Sequence, residues 1–331
     1  MPTQRRNVLM TDHAWPDTEI ERRILSDAGY DLVCGPASAV SASEIEALVA
    51  QHDPVAIMTC WARVSSRAIQ TPTALRAVTR MGVGLDNIDV PAATARGVTV
   101  TNVTDYCVDE VSDHAVGFVL DWTRGIAGFD RDVRAGNWNP AGARLGRLRD
   151  KTVGIVGFGR IGRATAAKLA GFGCRILVNN LSTDDTDGVE FVALPDLLSS
   201  SDVVVLHAPL TAETHHLIDA RHLALMPKHS LLINVSRGGL IDTNALVSAL
   251  KGGQLTHVAL DVLEEEPDVD PYLRAHPHVV LTPHVAFSSD ASVTELRTKA
   301  TEDVVRVLGG QPPRYPCNVP VPTTTPLEEA R

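Results

Sequence analysis

The chain has 331 residues, 44% of them hydrophobic, and a formal net charge of −10. The length points to two domains, and the apolar content is enough for real cores. An acidic balance without a basic patch excludes a nucleic-acid surface, and no stretch reaches the roughly 18 apolar residues of a membrane helix.

Residues 7–10 form a short apolar strand, although Arg5 and Arg6 have no long apolar run behind them, so no signal peptide is expected. In 18–28, Ile20, Ile24, Leu25 and Ala28 fall at helical spacing. Further strands are expected at 31–33, 55–58, 76–79 and 98–101, and a helix at 43–50 with Ser43 as its N-cap. Alternating strands and helices imply a parallel sheet covered on both faces. Val111, Ala115, Phe118, Val119 and Trp122 then repeat at helical spacing, predicting a long helix over 109–124. Gly125 and Gly128 mark its end, and 136–146 reads as loop.

Residues 152–156 read as a buried strand. Gly157, Gly159 and Gly162 follow with the spacing G-x-G-x-x-G, then a helix-forming run at 163–169 and a second strand at 175–178. Gly157 lets the chain turn out of the strand, Gly159 lets a pyrophosphate approach the backbone, and Gly162 lets helix and strand pack closely. The helix N-terminus offers N–H groups to the phosphates. In this context the turn is a dinucleotide site; a plain tight turn is the alternative. Later strands are expected at 202–206, 231–235, 257–260 and 279–281, with helices around 194–200, 219–226 and 243–251. A last amphipathic run carries Val293, Leu296, Ala300, Val304 and Leu308 but feeds no strand, so it is expected to return to the first domain. The Pro- and Thr-rich tail from Gln311 is expected to wrap the surface or fray.

The cysteines, Cys34, Cys60, Cys107, Cys174 and Cys317, lack C-x-x-C spacing and are expected to be free thiols of a cytoplasmic protein. His215-His216 and the pair His276 and His278 have no cysteine or carboxylate at metal spacing, so they read as surface histidines and no metal is assigned.

Three stretches follow strands of the second half, where ligands of open parallel sheets sit. The first, 234–242, holds Arg237, whose planar guanidinium grips a carboxylate with two parallel hydrogen bonds. The second, 261–267, runs from Asp261 to Glu266 and Pro267. The third, 281–286, holds His284, which can give or take a proton near neutral pH. A carboxylate on its other ring nitrogen would orient the ring and favour the imidazolium.

These stretches, with Gly-Val-Gly-Leu-Asp-Asn-Ile-Asp at 82–89, the glycine turn, Asn-Val-Ser-Arg-Gly at 234–238 and Thr-Pro-His-Val-Ala at 282–286, resemble the D-isomer-specific 2-hydroxyacid dehydrogenase family over nearly the whole chain. Residues 105–111 and 284–289 look most like its branch of C-terminal-binding proteins and their bacterial relatives. The resemblance implies an α/β protein of two doubly wound parallel-sheet domains. A flavodoxin-like substrate domain would comprise 1–106 and 288–331, with a Rossmann domain inserted at 107–287 and a cleft between them. It implies a cytoplasmic homodimer, with the 109–124 helix and adjoining loops supplying apolar surface.

The implied reaction is hydride transfer between a nicotinamide and C2 of a small 2-keto or 2-hydroxy acid. Arg237 would anchor substrate and polarise its carbonyl, and His284 would be the acid/base with Glu266 as partner. Val83 and Gly84 would offer backbone amides to the substrate carboxylate. Trp61, in the loop 59–64, and Arg63 would shape the pocket, or simply pack and solvate; Phe287 would add an aromatic wall. Cofactor contacts would come from Gly157, Gly159, Arg160, Ile161 and Gly162 in the turn, and from Asn180, His207, Ala208, Pro209, Val235, Ser236, Asp261 and His284.

One position departs from the family. NAD-using members have Asp or Glu at the end of the second strand, where this chain has Asn180. Asn does not repel a 2′-phosphate, yet Leu181, Ser182 and Thr183 supply no Arg to attract one, and Asp184 and Asp185 would repel it. The balance favours NAD slightly over NADP. Two rival functions share the scaffold: oxidation of another small anion such as phosphite, and dinucleotide-responsive binding of the corepressor type. Formate oxidation fits less well, because that branch has Gln where this chain has Glu266.

Overall fold

The computed structural model describes residues 6–13, 15–38, 40–182 and 186–321. The chain divides into two compact units, Met1–Tyr106 with Ser289–Arg331, and Cys107–Ser288. Both are α/β units built on parallel sheets.

In the first unit the strands are β1 (Arg6–Met10), β2 (Tyr30–Cys34), β3 (Ala56–Thr59), β4 (Ala77–Arg80) and β5 (Thr99–Thr101). Between them run α1 (Glu19–Asp27), α2 (Ala42–His52), α3 (Ser66–Gln70) and α4 (Val90–Ala95). The sheet order is β2-β1-β3-β4-β5, so the winding reverses between β1 and β3. Leu9, Ile57, Val78 and Val100 fill the core with Ile45 and Val49 of α2. The N-cap of α2 is Ser41 and not Ser43: its hydroxyl accepts from Glu44 N while Glu44 accepts from Ser41 N, a reciprocal capping box.

The second unit opens with α5 (Val108–Arg124), ended by Gly125 in the left-handed conformation. Gly128 does not end anything. It lies inside a further helix, α6 (Ile126–Arg134), started by the Asp121 carboxylate accepting from Ala127 N at 2.6 Å. None of the α6 side chains is buried, and Ile126, Phe129 and Val133 are exposed.

The strands are β6 (Thr152–Val156), β7 (Arg175–Asn179), β8 (Glu190–Phe191), β9 (Val203–Leu206), β10 (Leu231–Asn234), β11 (His257–Leu260) and β12 (Val279–Leu281). The helices are α7 (Arg160–Ala170), α8 (Leu194–Ser200), α9 (Ala220–Leu225), α10 (Thr243–Lys251) and α11 (Pro271–Ala275). The sheet order is β12-β11-β10-β9-β6-β7-β8, reversing between β6 and β9. The continuous apolar runs of β9 and β10 are wholly buried, as a sheet covered on both faces requires.

The last helix, α12 (Asp290–Leu308), packs in the first unit on α1 and β4. Beyond it Cys317 N donates to Val100 O of β5 and Val321 N to Thr94 O of α4, so this part of the tail crosses from the edge strand to that helix; residues 322–331 lie outside the described ones. No helix among the described residues is long and apolar enough to cross a membrane.

Candidate active site

The glycine turn leaves β6 at the point where the second sheet reverses. Gly157 has φ +93°, and a Cβ there would lie 2.5 Å from Ala208 N. A Cβ on Gly162 would lie 2.2 Å from Gly157 O, so only glycine fits there; α7 begins at Arg160 and contains Gly162, where 163–169 was expected. At Gly159, the N-cap, a Cβ would meet nothing within 4 Å. The turn thus packs tightly inward and leaves open space at the helix N-terminus, and Arg160 is exposed beside it with Ile161 half-buried.

Asn180 closes the same corner. Its Oδ1 accepts from Phe158 N at 3.0 Å and its Nδ2 donates to Ser182 O at 2.9 Å. Thr183, Asp184 and Asp185 lie outside the described residues. An arginine of α7 packs on Phe158, the residue whose N–H Asn180 holds. The Arg163 guanidinium lies 4.5 Å from the Phe158 ring centroid and donates to Thr186 Oγ1 at 3.0 Å.

The turns after β10, β11 and β12 bring together the proton-transfer candidates. His284 Nδ1 and Glu266 Oε2 are 2.8 Å apart, with side chains 23% and 34% exposed. Leu263 N donates to the other Glu266 oxygen at 3.0 Å. Burial acts to raise the Glu266 carboxyl, but the His284 hydrogen bond and charge, the Leu263 N–H and the Arg237 guanidinium hold it below the ordinary range. His284 adopts φ +53°, and Phe287 stands edge-on to its ring at 6.2 Å. Arg237 Nη1 donates to Ser236 O at 2.8 Å, and Asn234 Nδ2 fixes the Arg237 carbonyl at 2.8 Å. Ser236 Oγ donates to Ala208 O, tying this turn to the 207–209 segment where Pro209 is exposed; Val235 is buried beneath.

Asp261 is 2% exposed, and its carboxylate accepts from Thr282 Oγ1, Val285 N and Ala286 N at 2.5–2.9 Å. It therefore supports the backbone that presents His284. Gly238 has a similar supporting place, because a Cβ there would lie 1.9 Å from the Leu263 carbonyl carbon.

In the first unit the buried carboxylate of Asp12, just past β1, accepts from Cys60 N, Trp61 N and Ala62 N at 2.8–3.2 Å. It moulds the 59–64 loop at the point where that sheet reverses. Trp61 is half-buried and Arg63 exposed. After β4, Gly82 has φ +150° and a Cβ on it would lie 2.5 Å from Arg80 Nη1, so the 82–84 backbone rests on a buried guanidinium. Asn102 Nδ2 donates to Val83 O at 2.6 Å and leaves Val83 and Gly84 half-buried.

Residues 116–286 match the family described as D-isomer specific 2-hydroxyacid dehydrogenase, NAD binding domain. A glyoxylate reductase of Thermofilum pendens is 37% identical over 279 residues, 81% of this chain and 82% of that protein. The chain belongs to the D-isomer-specific 2-hydroxyacid dehydrogenase family. A Pyrococcus horikoshii glyoxylate reductase is 42% identical over 238 residues, 69% of this chain and 71% of that one. The crystal structure of a glyoxylate reductase from Paecilomyes thermophila superimposes with a TM-score of 0.85 at 27% identity, covering 96% of this chain and 99% of that one. The dehydrogenase is thus an NAD(P)-dependent oxidoreductase acting on the CH–OH group of a small 2-hydroxy acid, or on the carbonyl of the corresponding keto acid.

Asp12, Arg80 and Arg163 escaped sequence reasoning. Asp12 holds backbone about 48 residues away, Arg80 folds back under the adjoining Met81 and Gly82, and Arg163 packs on Phe158 across the glycine turn. The reading of His216 also changes. The carboxylate absent from its neighbourhood in sequence is Glu264, whose Oε1 lies 2.6 Å from His216 Nε2.

His207 bonds Thr165 Oγ1 through Nε2 at 3.0 Å, and burial lowers its ring to about 4 from 6.5. Between those values the unfolded chain binds a proton that the folded one refuses. Stability is therefore complete above about pH 6.5 and is lost as the pH falls toward about 4, by up to about 3 kcal/mol. Urea unfolding at about pH 7 and about pH 5 should show His207→Gln losing less on acidification than the wild type. Equal losses would assign the acid sensitivity elsewhere.

Proposed function

We propose that the dehydrogenase reduces glyoxylate and related small 2-keto acids. The carrying observation is the His284–Glu266 pair at 2.8 Å, with the Arg237 charge acting on the same carboxylate. A dinucleotide fits the open ground at Gly159 and the N-terminus of α7, where backbone N–H groups would hold its pyrophosphate. When bound, the reduced nicotinamide supplies hydride to C2. Arg237 binds the substrate carboxylate and polarises its carbonyl through one planar fork. His284 Nε2 delivers the proton to the carbonyl oxygen, while Glu266 fixes the ring through Nδ1 and stabilises the imidazolium. In the first unit, the Val83 and Gly84 amides and Trp61 are assigned to the substrate.

The reading gains support from relatives named glyoxylate reductase. Following reduced-nicotinamide absorbance across a panel of glyoxylate, pyruvate and hydroxypyruvate, with NADH and NADPH, tests it. Turnover of none of the three with either cofactor would refute it. Asn180 in place of a carboxylate, with Arg163 packed on the neighbouring Phe158 ring, leaves both cofactors admissible. In the same assay Asn180→Asp should raise the NADH/NADPH efficiency ratio by repelling a 2′-phosphate; an unmoved ratio would remove Asn180 from the ribose. We also assign a homodimer, supported by the exposed Ile126, Phe129, Val133 and Trp138 on and beside α6. Light scattering at micromolar concentration should give twice the chain mass, and a monomer mass would refute the pairing.

A further inference from the structure

The segment between β9 and α9 carries His215 and His216, and the loop after β11 carries Glu264. One nitrogen of each imidazole and one Glu264 oxygen all lie within 4.8 Å of one another. Consecutive side chains ordinarily diverge. Here the left-handed φ of +53° at His216 puts both rings on one side, stacked with centroids 3.9 Å apart. The Glu264 carboxylate is oriented from both ends: Oε1 faces His216 Nε2 at 2.6 Å, and Oε2 accepts from Thr243 N at 3.2 Å.

The backbones bearing these groups are pinned. His216 N donates to Gly239 O at 2.8 Å and Ile218 N to Leu240 O at 2.9 Å. Gly238 abuts the other side, since a Cβ there would lie 2.3 Å from Glu264 N. Both donor segments are thus anchored on the short stretch after Arg237.

We propose that His215, His216 and Glu264 form a binding site for a divalent transition-metal ion of the zinc type. Two imidazole nitrogens and a carboxylate oxygen are a donor set for a borderline-soft ion, with water completing a four-coordinate shell. Magnesium and calcium prefer all-oxygen shells and should bind poorly. On binding, the metal replaces the His216–Glu264 hydrogen bond, and any proton held between them is released to solvent. The Thr243 N–H remains on the second carboxylate oxygen and keeps the ligand oriented. Neither Arg237, Glu266 nor His284 belongs to the set, so the site is separate from the proton-transfer group.

The test is a zinc chloride titration of the full chain against a chromophoric chelator. It compares the wild type with His215→Ala, His216→Ala and Glu264→Gln. His257, His276 and His278 are present in every variant, so the difference isolates this site. The expected result is a wild-type equivalent whose Kd weakens at least about tenfold in each variant, with no displacement by excess magnesium chloride. His216→Ala alters a left-handed turn, so the exposed pair His215→Ala and Glu264→Gln, checked by melting curves, keeps the test decisive. Isotherms of those two variants that superimpose on the wild type would overturn the proposal, as would displacement of zinc by magnesium.

Discussion

His284→Ala should lower kcat by roughly 10²–10⁴ while the protein melts normally, because a positioned proton donor is removed. KM for the keto acid should change less, since the carboxylate is assigned to Arg237. Arg237→Ala should damage both parameters, and Arg237→Lys should recover only part, lacking the planar fork. The alternative is that His284 is a structural histidine, with Asp261 and Phe287 holding it for packing. It predicts lost stability with kcat nearly intact, and steady-state kinetics beside a melting curve on each variant separates the two.

Arg297→Ala should destabilise the first unit by about 3–5 kcal/mol, because it strands a buried charge. Arg297 on α12 is 6% exposed and Glu21 on α1 is fully buried. Their bond is bidentate, with Nε and Nη2 each 2.8 Å from a Glu21 oxygen, and Nη2 also reaches Asp17 Oδ1 at 2.8 Å. The guanidinium further lies 5.4 Å from the Trp15 ring centroid. Replacing both partners with apolar residues should cost less than the sum of the single changes, since neither charge is then left alone. Urea unfolding measures both quantities. A loss below about 1 kcal/mol for Arg297→Ala would place the pair with weak surface bridges.

Most strands of both sheets were legible because they contain short apolar runs, and the glycine turn because its spacing is local; β8, the two-residue edge strand Glu190–Phe191, offers no such run and was missed. Arg237, Glu266 and His284 were legible as charged or titratable residues just past such runs. The short helices α3, α4 and α11 were not, since five or six residues carry too little periodicity. α6 was missed because Gly125 and Gly128 read together as one stop, although only Gly125 needs its left-handed conformation. Asp12 and Glu264 were missed because their partners lie about 48 residues away, a separation that no local pattern encodes. Asp261 was assigned to the cofactor from resemblance; its backbone bonds to Val285 and Ala286 show up only in three dimensions.

The bare α-carbon of Gly238 makes two distant stretches of sequence one heritable block. Its backbone touches that of Leu263 and Glu264 with no room for a methyl group between them. The arginine-bearing turn and the glutamate-bearing loop therefore cannot diversify independently. A chimera that imports 261–267 from a homologue with a different loop path must bring the matching residues around 238 with it. Recombination between relatives should accordingly tolerate crossovers outside 238–264 far better than within it, whatever the substrate of either parent.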